Sequence, residues 1–262
     1  FFIGLSLLLM FSMRSWFLMG GDVVSEYHYF DLSVQNGLWD IHRYPHAYNI
    51  CLSLTILPTI LKIFTNVNPL LIFKMYMQII FPFSLIVLFT LFKKFSNPLF
   101  SFLAGIFFMS QVGYILDMPS HIRQEIAFLL FGLMLLALFS KEINPKLKKV
   151  LFIIFGFSMI VSHYVTSYIA LALFVFVYVV TSLYKIHENR KIKKRKINES
   201  ERKIFHLTGL IIIVLIVFSF IWYNQVTTAA DGLVDFAHKS ISNMGNIFGE
   251  DMQLSGQSFF DQ

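Results

Sequence analysis

Long apolar stretches separated by short polar ones dominate the chain, and the stretches are too uniformly apolar to be the faces of amphipathic surface helices. A helix that crosses hydrocarbon needs about 20 mostly apolar residues and must satisfy its backbone polar groups internally. Seven stretches fit, at roughly 1–19, 69–92, 98–114, 124–140, 147–162, 165–185 and 206–224. They predict an all-α membrane protein, a polytopic helical bundle of about seven transmembrane helices. Gly20-Gly21-Asp22 reads as a helix stop, and no small-residue cleavage site follows the first stretch, so that stretch reads as a span and not a signal peptide. The chain begins inside an apolar run and ends without a stop signal, as a piece of a longer chain would.

Segment 49–64 is also apolar, but it is short and carries Asn49, Pro58 and Lys62. It is read as an interfacial or re-entrant helix. This choice sets the orientation of everything before it, and the charges support it. Loops 93–97, 141–149 and 185–205 then share one face and hold 15 of the 21 Lys and Arg residues. The opposite face has only Arg43, Lys62, Arg123 and Lys239. The positive-inside rule places the 15 in the cytoplasm.

Composition agrees with this reading. Of 262 residues, 56% are hydrophobic and only 14% charged, with a mean hydropathy of +0.68. A soluble domain carries about 25% charge, so soluble enzymes and nucleic-acid-binding modules are excluded as first readings. The basic run 187–196 reads as a solvated cytoplasmic loop near anionic headgroups, because it lacks the aromatic interleaving that nucleic acid would call for. Cys51 is the single cysteine, so an internal disulfide and a cysteine-based zinc site are ruled out.

Eleven of the 15 acidic residues lie on the face opposite the basic loops. In the first outer loop (20–68), Asp22 and Glu26 are four apart and share a helix face, with Tyr29 three further on. Two such carboxylates can hold a divalent cation or push each other's pKa apart; an ordinary interfacial helix is the competing reading. In the second outer loop (114–123), Asp117 precedes a Pro-Ser pair in which Ser120 can cap the next helix. His121, Arg123 and Glu125 fall in its first turns. A helix N-terminus beside an arginine suits a phosphate. His163 and Tyr164, in a tight connection between two spans, can face the same cavity or serve as capping and belt residues.

Several short motifs, in this order and on this side, resemble the GT-C glycosyltransferases. They are Gly21-Asp22 with Glu26-Tyr27, Gly37-Leu38-Trp39, and Tyr44-Pro45-His46-Ala47-Tyr48 leading into an interfacial helix. Met109-Ser110-Gln111, Arg123-Gln124-Glu125-Ile126-Ala127 and Ser162-His163-Tyr164 are more similar to uncharacterised archaeal and bacterial predicted membrane proteins placed near that superfamily.

The resemblance implies that 1–224 is a GT-C-like transmembrane domain with juxtamembrane helices in 40–64, a basic cytoplasmic loop at 186–205, and an extracytoplasmic segment starting at 225–262. It implies a multi-pass cell-membrane enzyme that moves a sugar from a polyprenyl-phosphate-linked donor to a glycan, lipid or protein acceptor outside the cytoplasm. Asp22 or Glu26 would be the catalytic base. Arg123, His121 and Ser120 would bind the donor phosphate, and Asp117 and Glu125 would form a second acidic site. A divalent cation (Mg, Mn or Zn) would be held by Glu26, Asp117 or Glu125, and Tyr29, His163 and Tyr164 would line the cavity. The alternatives are a lipid or polysaccharide flippase or transporter, or an envelope polysaccharide polymerase.

Overall fold

The computed structural model describes residues 1–191 and 209–226. Its elements are α1 (Phe2–Ser12), α2 (Gly21–Asn36), α3 (Leu52–Thr65), α4 (Pro69–Phe92), α5 (Pro98–Met109), α6 (Ile122–Phe139), α7 (Pro145–Ile160), α8 (Tyr164–Lys191) and α9 (Gly209–Phe220). The described residues contain no strand, and the protein is a helical membrane protein.

Three helices start the same way. Asn68, Asn97 and Asn144 each precede a proline, and each side chain accepts a backbone N–H from inside its helix at 2.9 Å. The asparagine fills an otherwise orphaned donor site, while the proline at the first helical position has no N–H to orphan.

Among the described residues, Pro69–Phe92, Ile122–Phe139 and Tyr164–Tyr184 are long and apolar enough to cross a membrane. A fourth candidate is α5 together with the arm Gly113–Ser120, which are bent by 59° at the break between them. The described residues thus hold three or four candidate spans, where about seven transmembrane helices were expected. The first stretch, expected to span over 1–19, is helical only to Ser12. Beyond it the chain turns irregular, and Lys74 of α4 reaches the carbonyls of Ser15 (a short contact) and Phe17 (2.8 Å). Ser12 Oγ donates to the Lys74 carbonyl at 2.8 Å, so a buried ammonium and a hydroxyl fasten the end of α1 to α4.

In place of the stretch 147–162 stands α7, sixteen residues that begin with three lysines in their first two turns. Within α4, residues Ile72–Tyr76 form a π-helical turn. The segment read as interfacial or re-entrant forms α3, fourteen residues packed on α2 and α6. Residues 40–51, expected to be part of the juxtamembrane helices, form turns and irregular chain.

One hydrophobic core runs through α2, α3, α4 and α6–α9, and a smaller cluster joins Leu8, Phe81, Leu85 and Tyr114. The closest helix pairs are α6 with α7, α2 with α3, and α4 with α5 and α6. Gly156 lets α9 approach α7: a Cβ there would stand 2.8 Å from Leu215. Of the basic run, 187–191 finish α8, while 192–205 and most of 225–262 lie outside the described residues.

Candidate functional site

The N-terminus of α2 meets the N-terminus of α6, and this meeting brings together residues about a hundred positions apart. Asp22 lies in the first turn of α2 and Glu26 one turn later, on the face turned to α6. Arg123 Nη2 donates to Asp22 Oδ2 at 2.6 Å, and Nη1 donates to Glu26 Oε1 in a short contact. The other Glu26 oxygen accepts the backbone N–H of Ile122 at 2.9 Å. The Tyr48 ring lies under the guanidinium, its centre 4.3 Å from Arg123 Cζ, and the Tyr48 side chain acts electrostatically on Asp22. His121 Nε2 is 3.5 Å from Asp22 Oδ2, and its Nδ1 donates to the Asp117 carbonyl at 2.7 Å.

Gly20 permits this approach. Its φ of +124° is a conformation that L side chains rarely adopt, and it sits against Ser120, whose Cα would be 3.3 Å from an added Cβ.

The two carboxylates differ in environment. Glu26 is fully buried, and burial pushes its carboxyl up to about 7, against the pull of Arg123 and the Ile122 amide. The Asp22 side chain is 32% exposed. Burial acts to raise its carboxyl too, but the hydrogen bond and charge of Arg123, with His121 and Tyr48, outweigh this and hold it below the usual aspartate value. Glu26 thus serves as a structural clamp, and Asp22 is the carboxylate that reaches open space.

That space is a cavity of about 330 Å³. Asp22, His121, Arg123 and His163 form its polar end, beside Tyr164 and Thr166. From there it continues between α6 and α8, walled by Phe128, Phe131, Ile169 and Leu173. His163 Nδ1 lies 2.7 Å from Thr166 Oγ1; burial, with the Arg123 charge, pushes its imidazole down to about 3, which keeps it neutral.

The other expected residues are placed as follows. Ser120 does not cap α6: His121 is the cap residue, no side chain of its own caps the helix, and Ser120 Oγ donates back to the Leu116 carbonyl at 3.0 Å. The capping role has passed to Glu26, because a carboxylate on a packed neighbour reaches the orphan N–H while Ser120 is held in its own 3₁₀ turn. Asp117 is exposed and contributes only its carbonyl. Glu125, two residues after Arg123, points to the opposite side of α6; it is fully buried and lines no part of the cavity. Tyr29 stacks on His46 at 4.7 Å, outside the cavity lining. Among the described residues, no three His, Cys, Asp or Glu side chains gather where they could hold a metal ion.

Sequence reasoning overlooked Tyr48 as a site residue, although it stands in the quoted Tyr44–Tyr48 motif, and named none of the residues of the cavity's apolar walls. A tyrosine in a motif does not reveal that its ring will lie on a guanidinium a long way along the chain.

Residues 148–258 match the model of a family described as "Predicted membrane protein (DUF2206)". The matched stretch includes His163, Tyr164 and the α8 wall of the cavity; Asp22, Glu26 and Arg123 lie before it. No curated protein matches the chain, and no solved structure does.

Proposed function

We propose that the protein is a membrane glycosyltransferase that moves a sugar from a polyprenyl-phosphate-linked donor to an acceptor on the extracytoplasmic face. One observation carries this reading: a partly exposed carboxylate and a guanidinium share the polar end of a cavity whose remainder is an apolar channel between two candidate spans. An anionic lipid has that shape, with a phosphate for Arg123 and a hydrocarbon tail for Phe128, Phe131, Ile169 and Leu173. The likeness of the first-loop and second-loop motifs to GT-C enzymes points the same way.

In the resting arrangement Asp22 is a weak base, because Arg123 stabilises its charge. A donor phosphate that takes over Nη2 of Arg123 removes that stabilisation and makes Asp22 a better proton acceptor. The acceptor hydroxyl then attacks the anomeric carbon as its proton passes to Asp22, and the bond from that carbon to the phosphate oxygen breaks. The electron pair leaves with the lipid phosphate, whose growing charge faces Arg123. Glu26 keeps Arg123 in place throughout. A resident divalent cation does not fit the residues present: Glu26 is taken up by Arg123 and Ile122, Asp117 faces away, and Glu125 lies on the other side of α6.

The test is Asp22→Asn in the full chain, assayed for transfer from a polyprenyl-phosphate sugar in membranes. Loss of transfer with normal insertion is the expected result, and full activity would remove Asp22 as the base. A flippase or transporter is the second reading. It draws on one observation, the buried carboxylate of Glu125 inside a candidate span.

A further inference from the structure

Two neighbouring candidate spans, α4 and α6, end at Phe92 and Phe139, and a second cavity, of about 400 Å³, lies between the chain segments that leave them. Three ammonium side chains line it: Lys93 and Lys94 just past α4, and Lys141 just past α6. Glu142 is the one carboxylate in the lining, and Phe89 and Phe139 supply apolar wall.

Two of the cations are placed by contacts of their own. Lys94 Nζ donates to Glu142 Oε2 at 3.2 Å, with the lysine side chain 20% exposed and the glutamate 75%. Lys93 Nζ lies over the Phe89 ring, 5.5 Å from its centre. Among the described residues, neither Lys93 nor Lys141 has a carboxylate within ion-pair distance.

Three cations facing one acid leave two positive charges in excess around a single cavity, and what compensates them must be an anion. The Lys94–Glu142 pair is too exposed to hold much, so an entering anion can take over Lys94 as well. Lysine ammonium groups serve phosphate oxygens as point charges. The depth of the cavity says where the phosphate comes from. It stands where two apolar helices finish, on the face that the positive-inside rule assigns to the cytoplasm, and basic pockets between spanning helices on that side take anionic headgroups. Phe95, whose ring meets Phe139 at 5.0 Å, and Leu99 and Phe100 in the first turn of α5 are exposed, and offer apolar surface to a lipid's chains.

We infer that Lys93, Lys94 and Lys141 form a binding site for the phosphate of an anionic phospholipid. The bound headgroup would tie the α4–α5 connection to the α6–α7 connection. Arg123 stands in the first turn of α6 and Lys141 just beyond its end; with eighteen residues between its termini, α6 separates the two sites by about 27 Å. The lipid site therefore does not rest on the glycosyltransfer reading.

The test uses the full chain, purified in detergent, with unfolding followed by tryptophan fluorescence. Phosphatidylglycerol is titrated into the micelles against phosphatidylcholine at equal mole fraction, and sodium phosphate against NaCl at constant ionic strength. A saturable rise in Tm with phosphatidylglycerol alone is expected, as for any ligand that binds only the folded state. Lys93→Gln with Lys141→Gln, two exposed positions that should fold normally, should lose most of the rise. Lys146→Gln with Lys148→Gln, which removes two charges of the same face that do not line the cavity, should keep it, as should Asp22→Asn. Equal responses to the two lipids, an undiminished rise in the Lys93/Lys141 variant, or an equal loss in the Lys146/Lys148 variant would overturn the site. A rise with inorganic phosphate as large as with phosphatidylglycerol would overturn the lipid as its occupant.

Discussion

The carboxylate of Glu26 closes the N-terminus of a helix that begins 96 residues later, by accepting the Ile122 amide at 2.9 Å. Its second oxygen holds Arg123. One buried side chain therefore fixes both the start of α6 and the position of the site's guanidinium. The consequence is that stability and site geometry are coupled at Glu26.

Removing that clamp should be costly. Breaking a buried ion pair by deleting one partner leaves an uncompensated charge, at about 3–5 kcal/mol. Glu26→Ala and Arg123→Ala should each lower stability by an amount of that order. Glu26→Gln, which can still accept from Ile122, should cost less. Thermal unfolding of the two single variants and the double variant checks the coupling, and the double variant should lose clearly less than the sum of the singles.

Stability should also depend on pH in two opposed windows. The Glu26 carboxyl rises from its ordinary 4.5 to about 7 on folding, so its contribution is complete below about pH 4.5 and is lost as pH rises through 7. Asp22 is lowered, so its contribution is present above its ordinary 3.8 and is lost as pH falls below that value. Unfolding measured from pH 3 to 8 should show both limbs. Glu26→Gln should flatten the upper limb alone.

Gly20→Ala should strain the backbone at a φ of +124° and drive a methyl group into Ser120. Strain of this kind is worth about 1–3 kcal/mol. Because α2 would have to move away from the arm, Asp22 should separate from Arg123. Transfer activity should then fall further than at Gly21→Ala, where an added Cβ meets nothing within 4 Å. Paired activity and Tm measurements on the two variants decide this.

Ile169→Trp should narrow the apolar channel while leaving the charged end intact. Ile169 is 57% exposed, so the larger ring need not overpack a core. KM for a long-chain polyprenyl donor should rise, and that for a short, water-soluble analogue should stay close to the wild-type value. Equal effects on both would place the donor tail elsewhere.

The sequence made the helical class, the presence of several apolar crossings and the short α3 legible, because hydropathy alone sets these. It did not reveal where the first stretch stops being helical, since the cause is a lysine of α4 that captures carbonyls about sixty residues away. Charge placement and helix spacing put Asp22, Glu26, His121 and Arg123 on one face; their meeting at one point was seen only in the structure. The division of labour among them was not legible either, because it depends on which carboxylate the packing of α2 on α6 buries. Likewise Arg123 and Glu125 are two apart on one helix and so point to opposite sides, which separates residues that looked like one cluster.

The π-helical turn at Ile72–Tyr76 can be viewed as a one-residue insertion that the helix absorbed without rephasing its flanks. Phe73 inside it packs on Tyr27 and Phe30 of α2, and residues after it, packed toward α6 and the bent arm, keep the facing their neighbours require. Deleting Met75, which is only partly buried, would restore an ordinary helix without turning either flank, whereas a deletion at 86–88 would rotate everything beyond it by about 100°. The segment is thus the point in α4 where chain length can change by one residue at the least cost to the rest of the bundle.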